Sequence, residues 1–404
     1  MRKIQLHWQI LIALILSVLF GIFFTDYVEY VTWMGEVFLR ALKMIIIPLI
    51  FSSIVSGITG IGNSKNLGRL GLKTILYYVS TSFFAILTGL LLVNLIKPGI
   101  GADLGLSAAV QEIDIVDQSF GQTLINIIPV NIVEAMYKGD MLSIIFFAIL
   151  FGFFATRVPD RYKNTIDNAF NAIFEVMMKI TMFVIKFTPI GIFGIVAGIV
   201  AEHSDNLLEV FGRMGLYMLT VIAALAIHSM ITLPLILKLF GRIKPLRHLK
   251  GMSVPLLTAF STSSSNATLP LTLEAVEYNS GVSKKTSGFV LPLGATVNMD
   301  GTALYECVAV LFIAQAYGVD LTIIEQGIVV ITALLASIGA AGIPMAGLVI
   351  ITIILSAVGL PLEGVGLILA VDRILDMFRT TVNVWSDSCG AVVIAKSEGE
   401  TLNV

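Results

Sequence analysis

Long apolar runs alternate with short polar connections along the whole chain. Ten of these runs are long enough, or nearly so, to cross the ~30 Å hydrocarbon core of a bilayer. They lie near residues 8–24, 31–57, 68–95, 138–156, 165–201, 209–240, 252–278, 286–313, 326–361 and 363–396. The pattern predicts a polytopic all-α membrane protein. The first run resembles a signal peptide, but no small-residue cleavage site precedes Asp26 and Glu29, so we expect a retained transmembrane helix.

The charge of the connections predicts how the runs are oriented. Clusters of Lys and Arg alternate with acidic or neutral connections, and the clusters lie at residues 2–3, 65–73, 157–163, 238–250, 284–285 and 396. By the positive-inside rule, the basic connections face the cytoplasm. We therefore expect a multi-pass protein of the cell membrane, either inner or plasma membrane, with both termini in the cytoplasm.

Two of the runs begin and end on the same side by this rule and cannot be single spanning helices. The segment 251–283 lies between basic connections, and the segment 325–362 lies between acidic ones. Each contains a tract that interrupts a helix, Ser261–Pro270 in the first and Ser337–Pro344 in the second. We interpret the segments as re-entrant helical hairpins from opposite faces, which indicates an inverted repeat with a site at the midplane. For the serine-rich tract, the alternative is a solvated loop.

The last run carries a polar stripe. Its members follow at steps of four, three, four and four residues, which places them on one helix face; they are Asp372, Asp376, Arg379, Asn383 and Asp387. A charge at bilayer depth costs ~3 kcal/mol or more, so the stripe must face protein, water or ligand. It is typical of a substrate or ion pathway. The alternative, salt bridges that only hold helices together, leaves the net negative charge unexplained.

The helix over residues 286–312 is predicted to break in its middle. Gly294 lies before this break and Gly301 lies within it. Oxygen-bearing side chains are supplied by Asn298, Asp300 and Thr302. Broken helices expose carbonyl groups, and hard cations such as sodium bind oxygen ligands of this kind. Together with the end of the polar stripe, the break predicts one or more dehydrated cation sites. For Asp300, the alternative is a structural ion pair.

Composition supports a membrane protein and excludes other classes. The 404 residues are 57% hydrophobic and 13% charged, with a mean hydropathy of +0.94, which leaves too little polar surface for a soluble domain. A net charge of -2 without a basic aromatic stripe gives no basis for nucleic-acid binding. Cys307 and Cys389 lie in apolar runs, where we expect small buried side chains rather than disulfides or zinc ligands. Of the histidines only His228 lies deep in a run, where we expect a helix–helix contact rather than a proton relay.

Several motifs, in this order, resemble the glutamate transporter family, the dicarboxylate/amino acid:cation symporters, and in particular its prokaryotic glutamate/aspartate transporters. They are SSSNATLP in the first hairpin, NMDGT in the broken helix, SIGAAGIP in the second hairpin and DMFRTTVNVWSD in the last helix. The sequences LKMIIIPLIFSSIVSGI (residues 42–58) and FTPIGIFG (residues 187–194) extend the resemblance over nearly the whole chain.

The resemblance implies eight transmembrane helices, two opposed re-entrant hairpins in inverted repeats, and a homotrimer that works as an elevator. Its parts map onto residues 1–66 (scaffold helices 1 and 2), 67–97 (transport-domain helix 3), 98–208 (an extracellular connection and scaffold helices 4 and 5) and 209–404 (the transport core). The core comprises helix 6, hairpin 1 at about 251–283, helix 7, hairpin 2 at about 325–362 and helix 8. In this family the substrate domain moves past a fixed scaffold.

The resemblance also implies a substrate site. Arg379 would pair with the side-chain carboxylate of aspartate or glutamate, which a guanidinium fork suits, and Asp376 would hold the ammonium group. Thr380 and Asn383 would add hydrogen bonds to the amino acid. The residues that would close the pocket around the main-chain carboxylate are Thr302, Ser263 and Ser265, with the backbone of Ile343 and Gly347.

Sodium ions are implied as the coupling ions. One set of ligands maps onto Tyr78, Thr81, Ser82, Asn298 and Asp300. A second set maps onto Gly294, Asn298, Asn383 and Asp387. The last set maps onto Thr296, Ser337, Ile338 and Ala340, where Ala340 replaces a hydroxyl residue common in relatives but the site uses carbonyl oxygens.

The chain departs from its relatives at two arginine positions. Archaeal relatives carry an arginine where this chain has Ser263, and potassium-coupled animal relatives carry one where it has Met377. Arg373 lies one helical turn before Met377. It either partly substitutes for the arginine missing at that position or is a snorkelling side chain. The resemblance therefore does not extend to potassium counter-transport.

We predict a secondary active symporter, not an enzyme, that takes up aspartate or glutamate with sodium by alternating access. Its partners would be the acidic amino acid, the lipid bilayer and its own copies, and no nucleic acid. The alternatives are proton coupling, or a C4-dicarboxylate or neutral amino-acid symporter of the same fold. An intramembrane aspartyl protease built on Asp300 with Asp376 or Asp387 is a remote alternative, because an arginine among aspartates suits anion recognition better than acid-base catalysis. A channel is disfavoured, since two hairpins closing one site from opposite faces describe alternating access.

Overall fold

The fold is all-helical, as predicted. The computed structural model describes residues 6–61, 68–101, 125, 127–202, 207–339, 346–362 and 364–404. The helices are α1 (Leu6–Phe23), α2 (Glu29–Ile61), α3 (Gly68–Ile96), α4 (Ile132–Lys138), α5 (Met141–Ala155), α6 (Asp160–Ile185), α7 (Thr188–Glu202), α8 (Leu207–Ile227), α9 (Pro245–Gly251), α10 (Ser253–Thr262), α11 (Ser265–Tyr278), α12 (Lys284–Val297), α13 (Asp300–Ala316), α14 (Ile323–Gly339), α15 (Ala346–Ala357) and α16 (Val365–Ser397). Helix α8 continues through two π-helical turns, His228–Thr232 and Leu237–Gly241, with Leu233–Ile236 between them.

The lengths and composition of the helices support a multi-pass membrane protein. In the described part of the chain, five stretches are long and apolar enough to cross a bilayer, namely Glu29–Thr59, Arg69–Ile96, Asp160–Ile185, Gly212–Gly241 and Lys284–Ala316. Shorter apolar helices cover Trp8–Phe23, Ser143–Ala155, Thr188–Ala201 and Ile323–Ser337. Helix α16 is as long as any of these, but its charged residues are concentrated in about two turns around Asp376.

The predicted helix breaks at Ser263 and Asn298 are present. Helix α10 ends before Ser263, which adopts the left-handed conformation (φ 50°, ψ 42°), and the side chain of Ser264 then caps α11. Helices α12 and α13 are separated by Asn298 and Met299. Helix α14 ends at Gly339, so the rest of the second predicted tip, residues 340–345, lies outside the described residues, as does most of the 98–131 connection.

One run differs from its prediction. The hydrophobic pattern treats residues 165–201 as one crossing, but the structure divides them between α6 and α7, with a turn at Lys186 and Phe187. The physical reason is Pro189, whose nitrogen carries no hydrogen with which to continue the helical ladder. The signal was present in the sequence, in the FTPIG stretch.

The helices pack in two groups that share an apolar core. Helix α2 packs against α5, α6 and α7, and α1 packs against α7. Around α16 lie α3, α8, α10, α11, α12, α13 and α15, so that α16 forms the centre of the second group. Helices α14 and α15 also contact α2 and α5, whereas α10 and α11 pack chiefly against α12, α16 and each other.

Candidate functional site

The polar stripe of α16 lies inside the protein. Asp372, Arg379, Asn383 and Asp387 are all buried, and the side chain of Asp376 is 20% exposed. The prediction that the stripe faces protein or ligand rather than lipid is confirmed for these four buried residues. Asp376 is the member through which the site remains open to its surroundings.

The guanidinium of Arg379 is fixed in place by two carboxylates and an aromatic ring. Its Nε donates to Asp376 Oδ1 and its Nη1 donates to Asp372 Oδ1, both at 2.9 Å. Its Cζ lies 4.4 Å from the centre of the Tyr305 ring, and Tyr305 Oη donates to the same Asp372 oxygen at 2.8 Å. Within the described residues, Nη2 of Arg379 makes no hydrogen bond. One guanidinium nitrogen is thus left to bind an anion.

These ion pairs do not join two helices. Both carboxylates lie on α16 with Arg379, so the salt-bridge alternative considered from the sequence does not describe them. Tyr305 of α13 was not predicted as a site residue, because a tyrosine in an apolar run gives no signal by itself. Asp376 also has Arg373 Nη1 at 3.6 Å from its Oδ2 and Thr380 Oγ1 at 3.5 Å from its Oδ1.

Helix α15 begins directly against Arg379. At Gly347, an added Cβ would lie 2.5 Å from Arg379 Nη1 and 3.0 Å from the Tyr305 ring, so only glycine allows this approach. Ile343 lies outside the described residues. At the other hairpin tip, the buried hydroxyl of Ser263 has no hydrogen-bond partner within the described residues. Phe260 and Phe378 rings, 5.2 Å apart, connect that hairpin to α16.

Asn383 connects the polar stripe to the start of α13. Its Oδ1 accepts the backbone N–H of Gly301 at 2.7 Å, and its Nδ2 donates to Thr302 Oγ1 at 3.1 Å. An added Cβ at Gly301 would clash with the Arg379 carbonyl oxygen, which explains the glycine. The structure therefore brings Thr302 and Asn383 together beside the backbone of Arg379.

Oxygen atoms surround Asp300, which is fully buried. Its Oδ1 accepts hydrogen bonds from Ser82 Oγ at 2.6 Å and Thr81 Oγ1 at 3.2 Å. Its Oδ2 accepts from Ser386 Oγ at 2.6 Å and lies 3.2 Å from His228 Nε2. The contact expected for His228 is thus present, and its partner is Asp300. Ser386 was not predicted, although it adjoins Asp387.

Asp387 lies beside this cluster. Asn298 Nδ2 donates to Asp387 Oδ1 at 2.9 Å and to Ser386 Oγ at 3.0 Å. At Gly294, an added Cβ would lie 2.5 Å from both Asp387 Oδ1 and Tyr78 Oη, so the glycine admits these two oxygens. Two buried carboxylates therefore share a site with neutral oxygen atoms, which is a suitable environment for a dehydrated monovalent cation. Among the described residues, no group of three or more His, Cys, Asp and Glu side chains forms a transition-metal site.

The described residues do not test the last predicted set of sodium ligands. Thr296 Oγ1 donates to the carbonyls of Pro292 and Leu293, and Ser337 Oγ donates to Leu334, all within their own helices. The side chain of Ile338 is not described, and Ala340 lies outside the described residues. This set stays a prediction.

Two buried side chains near the site received no role from the sequence. Glu306 is fully buried, and neither of its carboxyl oxygens has a hydrogen-bond partner in the described part of the chain. His248 lies outside the five stretches that are long enough to cross a bilayer. Its Nδ1 is 2.8 Å from Ser280 Oγ, and its Nε2 is 3.2 Å from Ser388 Oγ. Burial lowers the pKa of His248 from 6.5 to about 4, so this imidazole is neutral at physiological pH. Cys307 and Cys389 are buried free thiols, as expected.

Known proteins are similar in sequence to this chain over nearly all of its length. The model of the sodium:dicarboxylate symporter family matches residues 6–397. The chain is 37% identical to the proton/sodium-glutamate symport protein of Geobacillus stearothermophilus, over 99% of this chain and 96% of the relative. It is 35% identical to the proton/glutamate-aspartate symporter of Escherichia coli, over 98% and 93%. It is 37% identical to excitatory amino acid transporter 3 of Mus musculus, over 98% and 86%.

Membrane-length helices around a buried charged site are typical of a membrane transporter. The chain belongs to the sodium:dicarboxylate symporter family. The resemblance identified from the motifs is therefore confirmed, and so is the prediction of a transporter rather than an enzyme.

Proposed function

We propose that this protein is a secondary active symporter that takes up aspartate or glutamate together with sodium ions. The observation that carries the proposal is Arg379, a buried guanidinium that is aligned by Asp372, Asp376 and Tyr305 and has one nitrogen without a hydrogen bond among the described residues. A planar guanidinium binds a carboxylate through two parallel hydrogen bonds. The substrate class is supported by the bacterial and mammalian relatives, whose names refer to glutamate, aspartate or excitatory amino acids.

Substrate binding exchanges one carboxylate for another. Asp372 is held by both Tyr305 and Arg379 and is buried, so it stays in place. Asp376 is the more exposed partner, and the incoming side-chain carboxylate takes its position on Arg379. Asp376 is then released to bind the substrate ammonium group, with Thr380 beside it. The side-chain carboxylate and the ammonium group of the substrate then each face a side chain of opposite charge, Arg379 and Asp376.

Sodium binds at the oxygen clusters around Asp300 and Asp387. A buried carboxylate without a counter-ion is costly, and the hydroxyl and amide oxygens of Thr81, Ser82 and Asn298 are neutral ligands. When sodium enters, the hydroxyl groups that now donate to Asp300 turn their lone pairs to the ion. Sodium and substrate then each raise the affinity of the other by the same factor.

Alternating access follows from two hairpins of opposite entry. We assign α10–α11 and α14–α15 as re-entrant hairpins that complete eight transmembrane helices in inverted repeats. Helices α1, α2 and α5–α7 form the scaffold, and α3 with α8–α16 forms the transport domain of an elevator within a homotrimer. In support, α3 packs on α13 and α8, and the second hairpin contacts the scaffold helices α2 and α5. The basic connections support an orientation with both termini in the cytoplasm, and we propose that the protein lies in the cell membrane.

Proton coupling is the second candidate, and Glu306 favours it. The carboxyl group of Glu306 is fully buried without a hydrogen-bond partner among the described residues, and such a group is more stable when it binds a proton. Two of the relatives are also named as proton symporters. Glu306 would carry the proton when its surroundings become polar.

Radiolabelled aspartate uptake into proteoliposomes tests the proposal, with sodium, proton and potassium gradients each imposed separately. The expected result is saturable uptake driven by the sodium gradient. Uptake driven only by the proton gradient, and lost in Glu306→Gln, would establish the second candidate. Equal competition by succinate would identify a dicarboxylate carrier instead.

A further inference from the structure

A large apolar groove lies beside α16, on the side of the first hairpin. It has a volume of about 940 Å³, and its walls come from the end of α8, from α9 and α10, and from α16. Representative lining residues are Ala226, Leu249, Phe260, Phe378 and Trp385. Pockets of ~300 to 1,000 Å³ hold small ligands, so the groove is large enough for an acyl chain.

A basic pocket adjoins this groove. It has a volume of about 550 Å³ and is lined by Lys238, Lys244, Arg247 and Lys250. Pro245 and Leu246 line both cavities, so the two are continuous. All four basic side chains are exposed, and within the described residues none of them forms a salt bridge or a hydrogen bond. No acidic residue occurs between residues 207 and 274 except Glu209, so the pocket is strongly positive.

We propose that the groove and the basic pocket together bind one anionic phospholipid of the cytoplasmic leaflet. The phosphate lies among the lysine and arginine side chains, and an acyl chain lies in the apolar groove. Basic pockets beside transmembrane helices on the cytoplasmic side bind acidic head groups in this way, with each Lys or Arg adding to the attraction. An apolar ligand would not need the four charges, and a free anion would not need the groove.

The site touches the helix that carries Arg379. Phe378, the residue before Arg379, lines the groove, and its ring packs edge-on against Phe260 of the first hairpin at 5.2 Å. An acyl chain in the groove therefore contacts both α16 and the hairpin, on the side away from the polar stripe.

Trp385 lines the groove and provides the test. The chain has three tryptophans, so replacing Trp8 and Trp33 with Phe leaves Trp385 as the single fluorophore. The protein is placed in phosphatidylcholine vesicles to which one brominated lipid is added in increasing fractions. This lipid is either phosphatidylglycerol or phosphatidylcholine with brominated acyl chains, because bromine quenches tryptophan fluorescence on contact. Brominated phosphatidylglycerol should reach half-quenching at a several-fold lower mole fraction than brominated phosphatidylcholine.

Two matched variants separate charge at the pocket from charge elsewhere. In Lys244→Gln/Arg247→Gln the several-fold preference for phosphatidylglycerol should disappear, since two charges are removed. In Lys284→Gln/Lys285→Gln, where two exposed lysines lie away from the groove, the preference should remain. Ala226→Phe, which narrows the groove, should reduce quenching by both lipids.

Three results would overturn the proposal. Equal quenching by the two lipids would mean that no head group is selected, and no quenching of Trp385 would mean that no chain enters the groove. An unchanged preference in Lys244→Gln/Arg247→Gln would mean that the head group is not selected by the basic pocket. Each result is read on the folded protein, because the emission of Trp385 itself reports its environment.

Discussion

Truncating Arg379 removes the group on which substrate selection depends. In Arg379→Cys, the substrate carboxylate has no cationic partner, Asp372 loses its own, and Asp376 keeps only Arg373 at 3.6 Å. Asp372 keeps only the hydroxyl of Tyr305, at 2.8 Å. The variant should therefore bind aspartate very weakly and accept small neutral amino acids, which bring no second carboxylate into a site with excess negative charge.

The size of the effect follows from burial. The Arg379 side chain is 3% exposed, so its pairing is little screened by solvent. Loss of one partner of a buried, hydrogen-bonded charge pair costs ~2 to 5 kcal/mol. This corresponds to a dissociation constant for aspartate raised roughly 30-fold to several thousand-fold. Arg379→Lys keeps the charge but not the planar fork, so we expect an intermediate loss.

Calorimetric titration of aspartate and of serine into the purified variants measures these changes. The control is Arg373→Cys on the same helix, whose side chain is 43% exposed and whose ion pair with Asp376 is 3.6 Å long, so that affinity should change by about fivefold at most. Serine binding to Arg379→Cys shows that the variant is folded. Aspartate affinity within about threefold of the unmodified protein would refute the assignment of Arg379.

Other predictions concern the ammonium, the cations, the packing and the pH. Asp376→Asn should weaken aspartate far more than succinate in competition uptake assays, because only the amino acid loses a charge partner. Asp300→Asn should flatten the sodium dependence of aspartate affinity, and an unchanged slope in titrations at several sodium concentrations would contradict the cation site. Gly294→Ala should do the same by placing a Cβ 2.5 Å from Asp387 Oδ1, whereas Gly288→Ala on the same helix, with no atom within 4 Å, should not. For His248, the folded pKa of about 4 lies below the usual 6.5, so the unfolded chain binds the proton more readily. The contribution of His248 to the free energy of unfolding should be full above pH 6.5 and should fall by up to ~3 kcal/mol towards pH 4. Thermal unfolding at several pH values should show a smaller fall in His248→Gln.

The sequence pattern predicted those features that depend on residues close together in the chain. The stripe of α16 follows from helical periodicity, and the breaks at Ser263 and Asn298 follow from tracts that interrupt a helix. The role of Tyr305 could not be predicted, because its contact with Asp372 joins residues 67 positions apart. The same holds for His228 and Asp300, which are 72 positions apart in sequence. Residues in separate apolar runs meet only when the helices pack, and periodicity does not specify which helices are neighbours.

The position of α3 has a consequence for how the protein is made. Ser82 of α3 donates to Asp300, which is synthesised 218 residues later. During translation, α3 therefore enters the bilayer with Thr81 and Ser82 lacking their final partner, while α1 and α2 await chiefly α5 to α7. Ordering of the cation cluster is a late step of biogenesis that requires distant contacts, and such contacts form slowly. Ribosomal pausing before residue 300 should thus leave α3 accessible to cross-linking by chaperones of the insertion machinery, and release from them should coincide with the appearance of α13.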